Sequence, residues 1–219
     1  MSATPYKALR AGVRQVLDGR GIDSSHATEI LRELLESADS GVCQQHPLGF
    51  AHIELTKAAQ TDFRTRLHIW TEETATWSDK VGALHDHTWE LRSAVLLGEV
   101  VDQYLTPRQE IQGKHRAFRI VYAEDGNKAE PLDGKWNLER SGQRTVGAGE
   151  VYSLPPRIVH LSNVRVFPTA TLVAAVDQGG PGPTVYVPVL EPDFPAAPRT
   201  SLSPAWIQDT LTGLVSAIP

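Results

Sequence analysis

Two histidines one residue apart, His85 and His87, open the stretch "LHDHTWELRSAVLLGEV", and an apolar run and Gly98 follow them. In a strand, residues i and i+2 point to the same face, so the two imidazoles stand side by side and Asp86 turns away. On an inner wall, such a pair is two-thirds of a facial metal site. The third ligand must then come from a distant strand. His160 in "GEVYSLPPRIVHLSN" is the candidate: Gly149 starts a strand, Pro155–Pro156 bends the chain, and His160 opens the next strand. Imidazole suits Fe, Zn, Cu, Ni and Mn to differing degrees. A neutral three-nitrogen set leaves open positions for a substrate with O2, or for water.

The elements that must position these residues follow from the pattern around them. Tyr6, Leu9, Val13, Val16 and Leu17 share one helical face, and Gly19 and Gly21 break the pattern. Asp23 or Ser24 caps a second helix whose buried stripe is Ile30, Leu31, Leu34 and Leu35. Both helices are too short to stand alone and must pack on something larger. From Gly49 the period changes. "GFAHIELTKAA", "FRTRLHIWT", "SAVLLGEVVDQYL", "HRAFRIVYAE", "GEVYSLPP", "VHLSNVRV", "ATLVAAVD" and "TVYVPVL" are short strand-like runs separated by Gly, Pro, Asp and Asn. This spacing predicts an antiparallel sandwich or barrel. Seven of the 15 prolines lie between Pro181 and Pro204, which predicts an extended, wrapping segment. Ser203 as N-cap and Pro204 in the first turn start a last helix, with Ile207, Leu211, Leu214, Val215 and Ile218 as its stripe.

Taken together, the two histidine motifs resemble those of the cupin superfamily. Its first motif is H-x-H, usually followed by a glutamate and then a hairpin glycine; its second is a glycine, then P-x-G-x-x-H, with an asparagine soon after. Here the first is His85-x-His87 with Gly98, and the second is Gly149, Pro155, Arg157 in place of the glycine, His160 and Asn163. The resemblance implies a mainly β fold: a single antiparallel cupin-type (jelly-roll) β-barrel over residues 48–190. Residues 1–47 would form an N-terminal helical extension, and residues 191–219 a Pro-rich segment and C-terminal helix packing on the barrel. The usual glutamate position holds Leu91. Glu90 lies one residue away, where alternation turns it from the metal unless the strand bulges. The chain therefore favours a three-histidine site. Some cupins of that kind are iron(II) dioxygenases, and "HDHT" is distantly similar to the first motif of cysteine dioxygenase-type cupins, whose later Ser-x-His-x-Tyr signature is replaced here by "TLVAAVD".

The resemblance thus implies one divalent metal ion held by His85, His87 and His160, with Fe(II) expected and Zn, Ni, Mn or Cu as alternatives. It implies a mononuclear non-haem oxygenase acting on a small organic substrate with O2. The alternatives are a metal-dependent isomerase or lyase, in which the metal is only a Lewis acid, and a non-catalytic small-molecule-binding barrel. An isomerase or lyase would need a placed acid or base, for which Glu90 and His68 are the candidates. Around the site, Trp89 lies two residues beyond His87 and serves either as pocket wall or as core. Arg66, His68 and Trp70 alternate in "RTRLHIW": either they line the pocket, or Leu67 and Ile69 face the core and the polar set faces solvent. The usual direction of apolar residues favours the second. By the same rule Arg92 lies outside. His52 and His115 have no motif around them and read as surface residues, and Cys43 falls in a connecting segment with no paired base.

Bulk composition sets the outer bounds. The 219 residues are 41% hydrophobic, enough for one sizeable core. The net charge of −5 with mixed signs leaves no basic stripe for nucleic acid. A single cysteine excludes an intramolecular disulfide and fits a reducing compartment. No run approaches the roughly 18 apolar residues of a membrane span, and the first residues lack a signal-type apolar core. A cytoplasmic protein, with a homodimer allowed, is the expectation. G-x-S-x-G and P-loop signatures are absent, and "GGPGPT" at 179–184 is a turn.

Overall fold

A computed structural model describes residues 6–37, 42–77, 83–123, 126–177, 179–191 and 200–219. In chain order its elements are α1 (Lys7–Leu17), α2 (Ser24–Glu36), β1 (Cys43–His46), β2 (Phe50–Glu54), α3 (Thr56–Ala59), β3 (Arg64–Trp70), α4 (Glu72–Ala75), β4 (Leu84–His85), β5 (Trp89–Leu97), β6 (Glu99–Gln109), β7 (His115–Ala123), β8 (Gly126–Gly147), β9 (Val151–Leu154), β10 (Val159–Val164), β11 (Thr169–Asp177), β12 (Thr184–Pro188) and α5 (Pro204–Ala217). The fold is mainly β, with two antiparallel sheets. The first has the order β1-β2-β3-β11-β5-β9. The second runs β10-β4-β12-β7-β8-β6, and β6 pairs back onto β10, so its pairing order is circular. The two-residue β4, which carries His85, links β10 to β12.

The first sheet is covered on both faces. Its outer face carries Leu67, Ile69, Ala94, Leu96, Ala170 and Leu172, which form one core with the apolar stripes of the helices: Leu9, Val13 and Val16 of α1, Ile30, Leu31 and Leu34 of α2, and Ile207, Leu211 and Leu214 of α5. Each fully buried leucine or isoleucine in that layer contributes about 1.5–3 kcal/mol. The inner face meets the second sheet. There Leu91 and Val173 pack with Tyr104, and Val95 packs with Val100 and Val146. Because β5 faces apolar surroundings on both sides, every residue from 93 to 97 is buried, and the strand reads as a continuous run rather than an alternating one.

The helix caps follow the sequence. Asp23 accepts the His26 N–H at 2.8 Å, and Ser203 accepts the Trp206 N–H at 3.2 Å with Pro204 in the first turn. Other elements differ from expectation. "GFAHIELTKAA" is a strand only to Glu54 and then turns through α3. Cys43 lies in β1 rather than in a connection, and burial pushes its thiol up to about 12, so it is no nucleophile. The 22-residue β8 falls on a polar stretch containing Pro131, Gly134 and Gly142. Its first half pairs with β7 and its second half with β6, so neighbouring strands rather than its own apolar pattern define it. Residues 192–199 of the Pro-rich segment lie outside the described residues; beyond them Ser201 forms a bridge to Gln44 of β1.

Gly98 turns β5 directly into β6 with φ +80°, and a Cβ there would sit 2.1 Å from the Thr169 hydroxyl and 2.9 Å from the Pro168 carbonyl. Gly98→Ala is expected to lower the urea midpoint by the equivalent of about 2 kcal/mol or more, since the left-handed backbone and the collision both oppose it.

Candidate metal centre

The H-x-H residues sit where β4 ends and the chain crosses toward β5. His85 is cross-strand neighbour to His160 of β10. His87, two residues on, reaches the same point from the crossing segment. The Nε2 atoms of His87 and His160 are 3.2 Å apart, although 73 residues separate them in sequence. One ring nitrogen from each of His85, His87 and His160 lies within 4.8 Å of the others. Two nitrogens that share an ion at about 2.1 Å, with bond angles between about 90° and 110°, lie about 3.0–3.4 Å apart. The His87–His160 separation falls inside that interval.

Two of the rings, those of His85 and His160, are oriented from behind. The Nδ1 of His85 is 3.0 Å from the Ala83 carbonyl; a carbonyl only accepts, so Nδ1 carries the proton and Nε2 presents its lone pair. Behind His160 lies Asp102, which is fully buried. Ser162 donates to its carboxylate at 2.5 Å, and the Ser162 oxygen is 3.4 Å from Nδ1 of His160. Burial pushes Asp102 up, but His160, Ser162 and Arg144 outweigh it and hold the carboxyl below its ordinary range. Arg144 completes this backing: it lies 3.4 Å from Asp102 and 4.5 Å over the Tyr152 ring. Burial, and then the neighbouring His160, lowers His85 to about 3. Burial followed by His85 and His160 lowers His87 in the same direction. Both imidazoles are thus neutral at ordinary pH, the form that ligates metals.

Arg157, at the position where the resemblance leads one to expect glycine, adopts the left-handed conformation with φ +65°. That backbone costs a non-glycine residue about 1–2 kcal/mol. Contacts offset the cost. The Arg157 N–H donates to the His87 carbonyl at 2.9 Å, and the guanidinium reaches the Pro181 and Gly182 carbonyls and lies 3.5 Å from Asp86. Burial pushes Asp86 up against the pull of Thr184 and Arg157; its carboxylate accepts the Thr184 N–H at 2.7 Å. One side chain therefore ties both histidine motifs to the β11–β12 connection.

Two facing antiparallel sheets, with H-x-H at the start of one hairpin and the second-motif histidine beside it on β10, decide the architecture. It is a cupin-like β-sandwich, the architecture that the motif resemblance implies. No family model matches the chain, and no curated protein sequence matches it. Among solved structures, recombinant oxalate oxidase in complex with glycolate is 19% identical with a TM-score of 0.35, over 64% of this chain and 56% of that one. Hydroquinone 1,2-dioxygenase PnpCD, in complex with Cd2+ and 4-hydroxybenzonitrile, is 13% identical with a TM-score of 0.30, over 52% and 58%. A structure of DMSP lyases is 15% identical with a TM-score of 0.36, over 83% and 80%. The chain thus spans little more than half the length of the first two.

Within this cupin-type sandwich the other candidate residues separate clearly. Trp89 stacks on His87, with centroids 4.8 Å apart and planes at 24°. Arg66, His68 and Trp70 lie on the inner face of the first sheet, since Leu67 and Ile69 belong to the core under the helices. The preferred reading of β3, with the polar set toward solvent, is therefore reversed: the helix layer claims the apolar residues. Arg66 is bound to Glu54 at 3.0 Å, and His68 stands 5.9 Å from Trp70. Glu90 and Arg92 pair with each other at 2.7 Å on the outer face, where Arg92 also donates to the Leu17 carbonyl at the end of α1. Glu90 is thus turned from the histidines. His52, read as a surface residue, is buried at 2% exposure on the inner face beside His68. Asp102 and Ser162 carried no motif; only the pairing of β6 with β10 brings them behind His160.

Two outcomes follow. Unfolded chain protonates His85 near 6.5, whereas the folded chain does not until about 3. The metal-free protein is therefore most stable above pH 6.5 and loses stability as pH falls through that window, because the unfolded state binds the extra protons. Urea midpoints between about pH 7.5 and about pH 5 should fall steadily, and less steeply for His85→Gln. Arg157→Gly relieves the left-handed backbone while Arg157→Ala does not; both lose the guanidinium contacts, so the glycine variant should be the more stable by about 1 kcal/mol in the same assay.

Proposed function

We propose that the protein is a mononuclear metal-dependent enzyme of the cupin type, an iron(II) oxygenase of the dioxygenase kind, with His85, His87 and His160 as its ligands and a small organic acid or phenol as its substrate. The observation that carries this reading is the convergence of three imidazoles, His160 buried and His85 and His87 half-buried, at least two of them held neutral, on one point with no carboxylate among them. A bound ion keeps its full charge in such a set and leaves open positions. When bound, iron(II) would supply O2 activation and polarise a chelating anionic substrate.

The chain's own residues do the rest. Ala83 and the Ser162–Asp102 pair fix the proton on Nδ1 of His85 and His160, so that both Nε2 lone pairs face the centre. Trp89 walls the His87 side and restricts water. Arg66, His68 and Trp70 line the opposite inner face as the substrate pocket. A second reading, a metal-assisted isomerase or lyase, draws support from one observation: His68 is on the inner face, where an imidazole can accept or return a proton. Glu90, the other candidate for that role, is on the far side of the strand.

Metal analysis after loading with iron(II) under anaerobic conditions tests the ligand set. His87→Ala should lose most of the metal and Glu90→Gln should retain it near the wild-type level; equal loss in both would indicate a fourth, carboxylate ligand. An oxygen electrode with a panel of thiols, diketones, phenols and carboxylic acids then separates the reactions. The iron form should consume O2 with its substrate and the zinc form should not, because zinc does not change oxidation state. Turnover by the zinc form without O2 uptake would establish the isomerase or lyase instead.

A further inference from the structure

The inner face of the first sheet carries a polar row. Register pairs His52 of β2 with His68 of β3, and His68 with Thr171 of β11, so the three side chains lie next to one another on one face. The face is the one turned to the metal centre. Ala170 and Leu172, on either side of Thr171, belong to the core under the helices. Val173, next on the Thr171 side, packs against Tyr104, and Tyr104 is the cross-strand neighbour of His160. His68 is also close enough to His87 to disfavour its charged form. Thr171 is fully buried, and its hydroxyl has no hydrogen-bond partner among the described residues. A buried hydroxyl without a partner opposes folding, so a purely structural wall would favour valine there. Beside the row, the charge of Arg66 is already matched by Glu54 at 3.0 Å.

We propose that the row His52–His68–Thr171 is a substrate subsite facing the three-histidine centre, and that it holds the uncharged hydrogen-bonding end of a small carboxylic acid whose carboxylate binds at the metal. The inference rests on the metal-centre reading above and adds the far end of the substrate. An apolar tail would leave the Thr171 hydroxyl unpaired. A second carboxylate would have to displace Glu54 from Arg66 or draw Arg64 away from the Trp89 ring, over which it lies at 5.1 Å. A hydroxyl or carbonyl satisfies Thr171 and faces His68.

The test uses the full-length protein loaded with cobalt(II), whose visible absorption reports carboxylate binding. The probes are 3-hydroxypropionate, 4-hydroxybutyrate and 5-hydroxypentanoate, each against the unsubstituted acid of equal chain length. At least one hydroxy acid should bind roughly three- to tenfold more tightly than its partner, the value of one net hydrogen bond. Thr171→Val should abolish that difference while leaving cobalt affinity and binding of the unsubstituted acids unchanged. The same variant, without ligand, should melt a few degrees higher, since it removes an unpaired buried hydroxyl at nearly constant shape. If cobalt does not bind at all, the metal-centre reading fails. If cobalt binds but no hydroxy acid is preferred, or the preference survives in Thr171→Val, the subsite is overturned. A lower melting temperature for Thr171→Val also overturns it, because the hydroxyl is then already bonded, for example to internal water.

Discussion

The helix layer over the outer face of the first sheet is the constraint on which the site depends. A sandwich without it would have to fill its interior with apolar side chains from both sheets. Here α1, α2 and α5 draw Leu67, Ile69, Leu96 and Leu172 outward into a separate core. The interior is thereby released from sole responsibility for stability. It can carry Glu54, Arg66, His68 and Thr171 on one wall and three histidines on the other, at a position where ordinary sandwiches place valine and leucine.

That release allows polar groups in the interior but does not neutralise their cost. The buried carboxylates near the centre are each answered by a specific partner: Asp102 by Ser162 and Arg144, Asp86 by the Thr184 N–H and Arg157, Glu54 by Arg66. The partners also set protonation. A ring whose Nδ1 faces a carbonyl or a hydrogen-bonded serine must present its Nε2 as a lone pair, and burial keeps His85 and His87 uncharged. The Thr171 hydroxyl, like that of Ser93, stands apart from this pattern because no partner is supplied among the described residues.

Backbone strain is concentrated where the motifs meet. Gly98 makes the β5–β6 hairpin in a space with no room for a side chain, and Arg157 holds a left-handed backbone through four contacts. The two solve the same kind of problem differently. At Gly98 the neighbouring Thr169 excludes any Cβ, so glycine is required. At Arg157 the surroundings offer acceptors to a long donor, so the residue that the motif resemblance lacks is replaced by one that fastens the segment in place.

How much was legible in the sequence depends on the range of the interaction. The outward turn of Glu90 and the caps at Asp23 and Ser203 are local consequences of strand and helix geometry, and the sequence alone determined them; the i, i+2 spacing brought His85 and His87 to one point although His87 lies beyond the end of β4, and the hairpin at Gly98 followed only from the motif resemblance, since "SAVLLGEVVDQYL" reads as a single run. His160 was reachable only because a second motif surrounds it. The direction of β3 was not local: alternation states that Leu67 and Ile69 share a face, but which face is the interior depends on α5, more than 100 residues away, as well as on the nearer α1 and α2. The polar β8 was equally hidden, because its pairing with β6 and β7 stabilises it without an apolar stripe. Asp102 behind His160, and His52 and Thr171 beside His68, are neighbours by register between strands distant in sequence. The sequence determined which residues could ligate a metal; only the tertiary structure decided what stands behind and opposite them, because cross-strand register is set by the packing of the whole sheet.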